Sequence, residues 1–85
     1  MQTIYLDARR LINKDEAHDY LKEQFSLPEY YGNNLDALYD CLTELPMTEI
    51  RIEHEEEASG YYAFMKPVFR NAQKENPDLV LVFSE

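Results

Sequence analysis

Apolar and polar residues fall into short runs of two different periods. Thr3-Ile4-Tyr5-Leu6-Asp7 reads as a short strand. Asn13 then offers a helix N-cap, with Glu16 three residues on in a capping-box arrangement. Ala17, Tyr20, Leu21 and Phe25 recur at spacings of three and four, which predicts an amphipathic helix over roughly residues 14–25. Ser26 to Asn33 forms a loop, because Pro28 biases Leu27 away from helix and Gly32-Asn33 is turn chemistry. Asn33 or Asn34 caps a second helix from Leu35 to Thr43, and Leu45-Pro46 ends it. Glu49 to Glu53 alternates polar and apolar residues and predicts a half-exposed strand. Tyr61, Phe64, Met65, Val68, Phe69 and Ala72 form a helical stripe that contains Pro67, which either kinks one helix or opens a second. Asn76-Pro77-Asp78 is a stop and turn. The continuous run Leu79 to Phe83 predicts a strand covered on both faces.

The order β-α-α-β-α-β favours parallel pairing through crossovers. The expectation is an α/β fold: a small three-stranded parallel sheet with helices packed against it, one domain over residues 1–85. A domain of this size has a modest core and little room for an enclosed pocket, which favours a binding module over an enzyme.

Charge narrows the partner. The chain carries 17 acidic and 8 basic residues, a formal net charge of -9. Phosphate backbones and anionic membranes need Lys and Arg, so no direct nucleic-acid or membrane contact is expected, whereas a basic partner gains from opposite fields. The same charge also serves solubility. A lone Cys41 excludes an intrachain disulfide, Asp7 interrupts any apolar leader, and nothing approaches the ~20 apolar residues of a membrane span. A cytoplasmic protein, monomeric when free, is expected.

The second helix is the most informative surface. At about 100° per residue, Asp36, Tyr39, Asp40 and Thr43 share one stripe, with Leu35, Leu38 and Leu42 opposite. A solvated helix face has the same pattern. Its neighbourhood adds Tyr30, Tyr31 and Asn34, and aromatics with polar handles anchor interfaces. Asp36 and Asp40 repel each other at i,i+4 by a few tenths of a kcal/mol, as suits a surface that receives cations.

The stretch from Leu27 to Leu42, LPEYYGNNLDALYDCL, resembles the signature of the barstar family, P-x-Y-Y-G-x-N-L-D-A-L-x-D-x-L. Val68-Phe69-Arg70 and the final strand are also similar, so the resemblance spans nearly the whole chain. It implies an inhibitor of a basic, barnase-type ribonuclease, in which the second helix and the loop before it enter the active-site cleft and carboxylates stand in for RNA phosphates. The positions it implies as partner-binding are Tyr30, Asn34, Asp36, Tyr39, Asp40 and Thr43, with Asp40 as the central phosphate mimic. The resemblance also implies a place for Glu44 on the binding edge. Departures from the family pattern are Tyr39 in place of tryptophan, Glu44-Leu45 in place of glycine–tryptophan, a shorter 46–65 region and Asn71 in place of glutamate. A binding module for a basic partner that is not a ribonuclease is the alternative.

Other groupings point less sharply. Cys41 is expected to be a small buried hydrophobe, since neither His18 nor His54 is close in sequence. His54 among Glu53, Glu55, Glu56 and Glu57 reads as a solvated acidic loop rather than a metal site. Asp36 and Asp40 do not suit general acid–base work on a convex surface. No cofactor, metal or catalytic residue is expected. Tyr5, Tyr20 and Tyr61 fit core or rim positions.

Overall fold

The computed structural model describes residues 1–83. Strand β1 (Gln2–Asp7) leads through a 3-10 turn (Ala8–Leu11) into helix α1 (Lys14–Gln24). Helix α2 (Leu35–Thr43), strand β2 (Thr48–Glu53), a second 3-10 turn (Glu55–Glu57), helix α3 (Tyr62–Glu75) and strand β3 (Leu79–Phe83) follow. The sheet is parallel throughout in the order β1-β2-β3, with Ile4 beside Ile50 and Ile50 beside Leu81. This is the α/β architecture the sequence predicts. No helix of the described residues is long and apolar enough to cross a membrane.

The sheet is covered on one face. Leu6, Ile50, Ile52 and Leu79 join Leu21, Leu38, Leu42, Met65 and Phe69 in the core. On the other face Tyr5 is 58% exposed, Val80 is exposed and Arg51 pairs with Glu49 at 3.0 Å. The expectation that Leu79–Phe83 is covered on both faces is therefore wrong. With consecutive strands adjacent, right-handed crossovers return every helix to the same side, so an apolar run on an edge strand still has an open face.

Local signals explain most element ends. The Asn13 carboxamide oxygen accepts from the Asp15 and Glu16 N–H groups, which starts α1. The reciprocal half of the capping box is absent: Glu16 accepts from Arg10 Nε at 3.1 Å instead. Pro67 lies inside a single helix rather than at the start of a second one. Both it and Ala63, whose carbonyl loses the proline's missing N–H, face solvent, where water can satisfy that oxygen. The α3 core stripe is Tyr62, Met65, Phe69 and Ala72. Phe64, expected in that stripe, is 65% exposed because it lies about 100° round the helix from Met65.

Candidate partner-binding site

Helix α2 is positioned by both of its ends. At the start, Asn34 Oδ1 accepts from the Ala37 N–H at 2.8 Å, while Asn34 Nδ2 donates to the Gly32 carbonyl at 3.1 Å. A Cβ on Gly32 would stand 3.0 Å from that Nδ2 atom, so glycine fits this cap. At the end, the buried Asn76 donates from Nδ2 to the carbonyls of Leu42 and Leu45, each at 3.0 Å. Its Oδ1 accepts from the Asp78 N–H at 3.0 Å. The residue read from sequence as a turn signal thus also caps α2 across a distance no local pattern encodes.

The loop before α2 separates its two tyrosines. Tyr30 is 88% exposed, whereas Tyr31 is buried. Tyr31, expected among the surface aromatics, points inward because its hydroxyl meets a ring nitrogen of fully buried His18 at 2.8 Å. The second His18 nitrogen meets the Tyr61 hydroxyl, also at 2.8 Å. One histidine thereby ties α1 to the loop and to the start of α3. Burial lowers the His18 pKa from its ordinary value and Lys14 lowers it further, against the opposing pull of Asp15 and Asp19. Burial pushes the Tyr31 hydroxyl far up, so it stays protonated. Periodicity marked neither contact; a polar His18 beside Ala17 on the apolar side of α1 was the available signal.

The outward face of α2 matches the predicted stripe. Leu38 and Leu42 are buried, while Asp36, Asp40 and Glu44 are exposed and Tyr39 and Thr43 are half-buried. The carboxylates of Asp36, Asp40 and Glu44 make no hydrogen bond or ion pair with any described residue. Thr43 Oγ1 donates to the Asp40 carbonyl at 2.9 Å, which leaves the Asp40 carboxylate free. Asp36 stands in the first turn, where the helix dipole favours a negative charge; no basic residue occupies the last turn. The acidic C-terminal half is electrostatically unfavourable for the isolated helix by a few tenths of a kcal/mol. A cation from outside would relieve it.

A family model described as Barstar (barnase inhibitor) matches residues 1–84. The chain belongs to the barstar family. A Bacillus subtilis (strain 168) protein named "Putative ribonuclease inhibitor YrdF" is 40% identical over 84 residues, with 92% of each chain covered. The barstar-type architecture and the ribonuclease-inhibitor relative agree with the resemblance carried by residues 27–42.

The other sequence groupings are now placed. Cys41 is half-buried, and burial, then Glu44 and Asp40, push its thiol pKa up, which disfavours a reactive thiolate. His54, Glu56 and Glu57 bring donor atoms within 4.8 Å of one another. The Glu57 carboxylate lies 3.3 Å from His54 Nδ1 and 3.9 Å from Arg9, so it is already engaged by neighbours in this turn. Tyr20 is half-buried and accepts the Asp7 N–H at 3.0 Å.

Proposed function

We propose that this barstar-family protein is a cytoplasmic immunity protein that inhibits a basic, barnase-type ribonuclease by seating α2 and the preceding loop in its active-site cleft. The observation that carries this reading is the pair Asp36 and Asp40, one helical turn apart on the exposed face and engaged by no group among the described residues. Two free carboxylates on a convex helix offer oxygens where RNA phosphates would otherwise lie, and Arg–carboxylate contacts are among the stronger hydrogen bonds. Asp40 takes the central arginines and histidine of the enzyme, and Asp36 takes a neighbouring cation.

Tyr30 and Tyr39 supply flat contact area beside the carboxylates, with Thr43 and Glu44 on the edge. Asn34 contributes mainly by fixing the loop and helix, because both ends of its carboxamide are already used. The net charge of -9 steers encounter with a basic enzyme. Titration of the protein into a barnase-type ribonuclease, following RNA cleavage, tests the reading. Stoichiometric inhibition is expected; undiminished cleavage at excess inhibitor contradicts it and directs the search to a basic partner of another activity.

A further inference from the structure

Helix α3 gathers three of the chain's eight Lys and Arg residues, Lys66, Arg70 and Lys74, at four-residue spacing. With Ala63 and Pro67 they line a groove of about 610 Å³. Two of these cations are held in place. Lys66 Nζ lies 2.6 Å from Glu55 and 4.9 Å from the centre of the Phe83 ring, and the Arg70 guanidinium lies 5.1 Å from the same centre. Glu55 is fixed in turn by the Tyr62 hydroxyl, which donates to it at 2.8 Å. Glu55 thus neutralises Lys66, whereas Arg70 and Lys74 are exposed and make no ion pair among the described residues. Pro67 adds an independent feature. It has no N–H, so the Ala63 carbonyl lacks its usual helical donor beside these cations. The groove is separate from the α2 face: Phe64 lies by Leu35 and Asp36, while Lys66 and Arg70 lie against Phe83 of β3.

We propose that this groove docks a short acidic segment of a partner protein, its carboxylates on Arg70 and Lys74 and one of its backbone N–H groups on the Ala63 carbonyl. The occupant follows from the lining. Two unpaired cations beside an apolar strip of Ala63, Pro67 and the lysine and arginine stems suit carboxylates that flank an apolar residue. A phosphodiester backbone matches less well. It brings no amide N–H, and its affinity grows with the number of cations it meets, here two on a chain of net charge -9. The opposing charges are Glu55, already engaged by Lys66, and Glu75 on the same helix. Together with the acidic surface elsewhere they restrict the partner to a short segment held transiently. The site goes beyond the proposed inhibitor function: it lets the protein carry an acidic partner while α2 is occupied.

The test is an NMR titration of the whole chain at low salt. The probe is an acetylated, amidated peptide of four glutamates flanking a central leucine, and its glutamine counterpart is the control. Saturating shifts should centre on residues 63–74 and Phe83 and leave residues 35–43 unmoved. Lys74→Gln and Arg70→Gln should each weaken binding about two- to fivefold, and Arg70→Glu/Lys74→Glu or about 1 M salt should abolish it. Arg70 also packs on Phe83, so the exposed Lys74 is the decisive position if the Arg70 variants fail to fold. Pro67→Ala returns an N–H to the Ala63 carbonyl and should weaken the peptide about threefold. Asp40→Ala should bind the peptide as the parent does. Equal shifts with the glutamine peptide, parent-like affinity in Lys74→Gln, shifts spread over the surface, or none, overturn the docking site. Unchanged affinity in Pro67→Ala overturns the backbone contact. Tighter binding of a uridine tetranucleotide than of the peptide overturns the protein partner and makes the groove a phosphate site.

Discussion

Replacing Asn76 by alanine removes the group that ties the end of α2 to the rest of the domain. Three hydrogen bonds disappear: two from Nδ2 to the Leu42 and Leu45 carbonyls and one from the Asp78 N–H to Oδ1, all at 3.0 Å. At a net value of about 1 kcal/mol each, with the Leu42 bond buried, the expected loss is about 2–4 kcal/mol. That is a large share of the roughly 4–13 kcal/mol typical of a domain this size. Asn76→Asp keeps the acceptor but sets a carboxylate against two carbonyl oxygens, so it should be at least as damaging at neutral pH. Urea unfolding gives the loss, and amide hydrogen exchange shows where it falls. Protection should drop first at residues 41–45, loosening Thr43 and Glu44 on the proposed interface. A stability change under about 0.5 kcal/mol, or an aspartate variant as stable as the parent, would refute the capping argument.

Two further predictions concern the scaffold. The His18 pKa is lowered in the fold, so its neutral form contributes stability that is fully present above the ordinary value of 6.5 and is lost as pH falls below it towards the folded value. Within that window the parent should lose stability through this group as pH falls, by at most about 1.4 kcal/mol per pH unit. His18→Gln should flatten that slope in denaturant titrations between pH 6.5 and 5, whereas an identical slope in both proteins contradicts the assignment. Gly60→Ala should cost about 1–3 kcal/mol, because alanine disfavours φ +61 and its Cβ would meet the Ile12 carbonyl at 2.9 Å. An unchanged thermal midpoint would show that this backbone can relax.

What the sequence made legible and what it hid divide by range. The boundaries of α2 and its two faces follow from local terms: an asparagine cap, leucines at helical spacing and a proline after the end. Nothing local distinguishes Tyr30 from Tyr31. The inward turn of Tyr31 depends on His18, thirteen residues away, and His18 also holds Tyr61, forty-three residues away. Asn76 is likewise a turn residue to its neighbours and a cap only to a helix more than thirty residues earlier. The apolar stripe of α3 is one residue wider than its buried one, so helical spacing counts Phe64 as core although its ring is exposed. Apolar content alone likewise misjudged Leu79–Phe83, since the open face of the sheet is a property of the crossovers.

Whether the α2 carboxylates block an enzyme's active site is decided by titrating the parent and Asp40→Ala into a barnase-type ribonuclease at low and high salt, with RNA cleavage as readout. Stoichiometric inhibition by the parent, weaker at high salt, is expected, with a loss of about 2–5 kcal/mol of binding in Asp40→Ala from removing one partner of a desolvated charge pair. Equal inhibition by both proteins, or inhibition insensitive to salt, would contradict it.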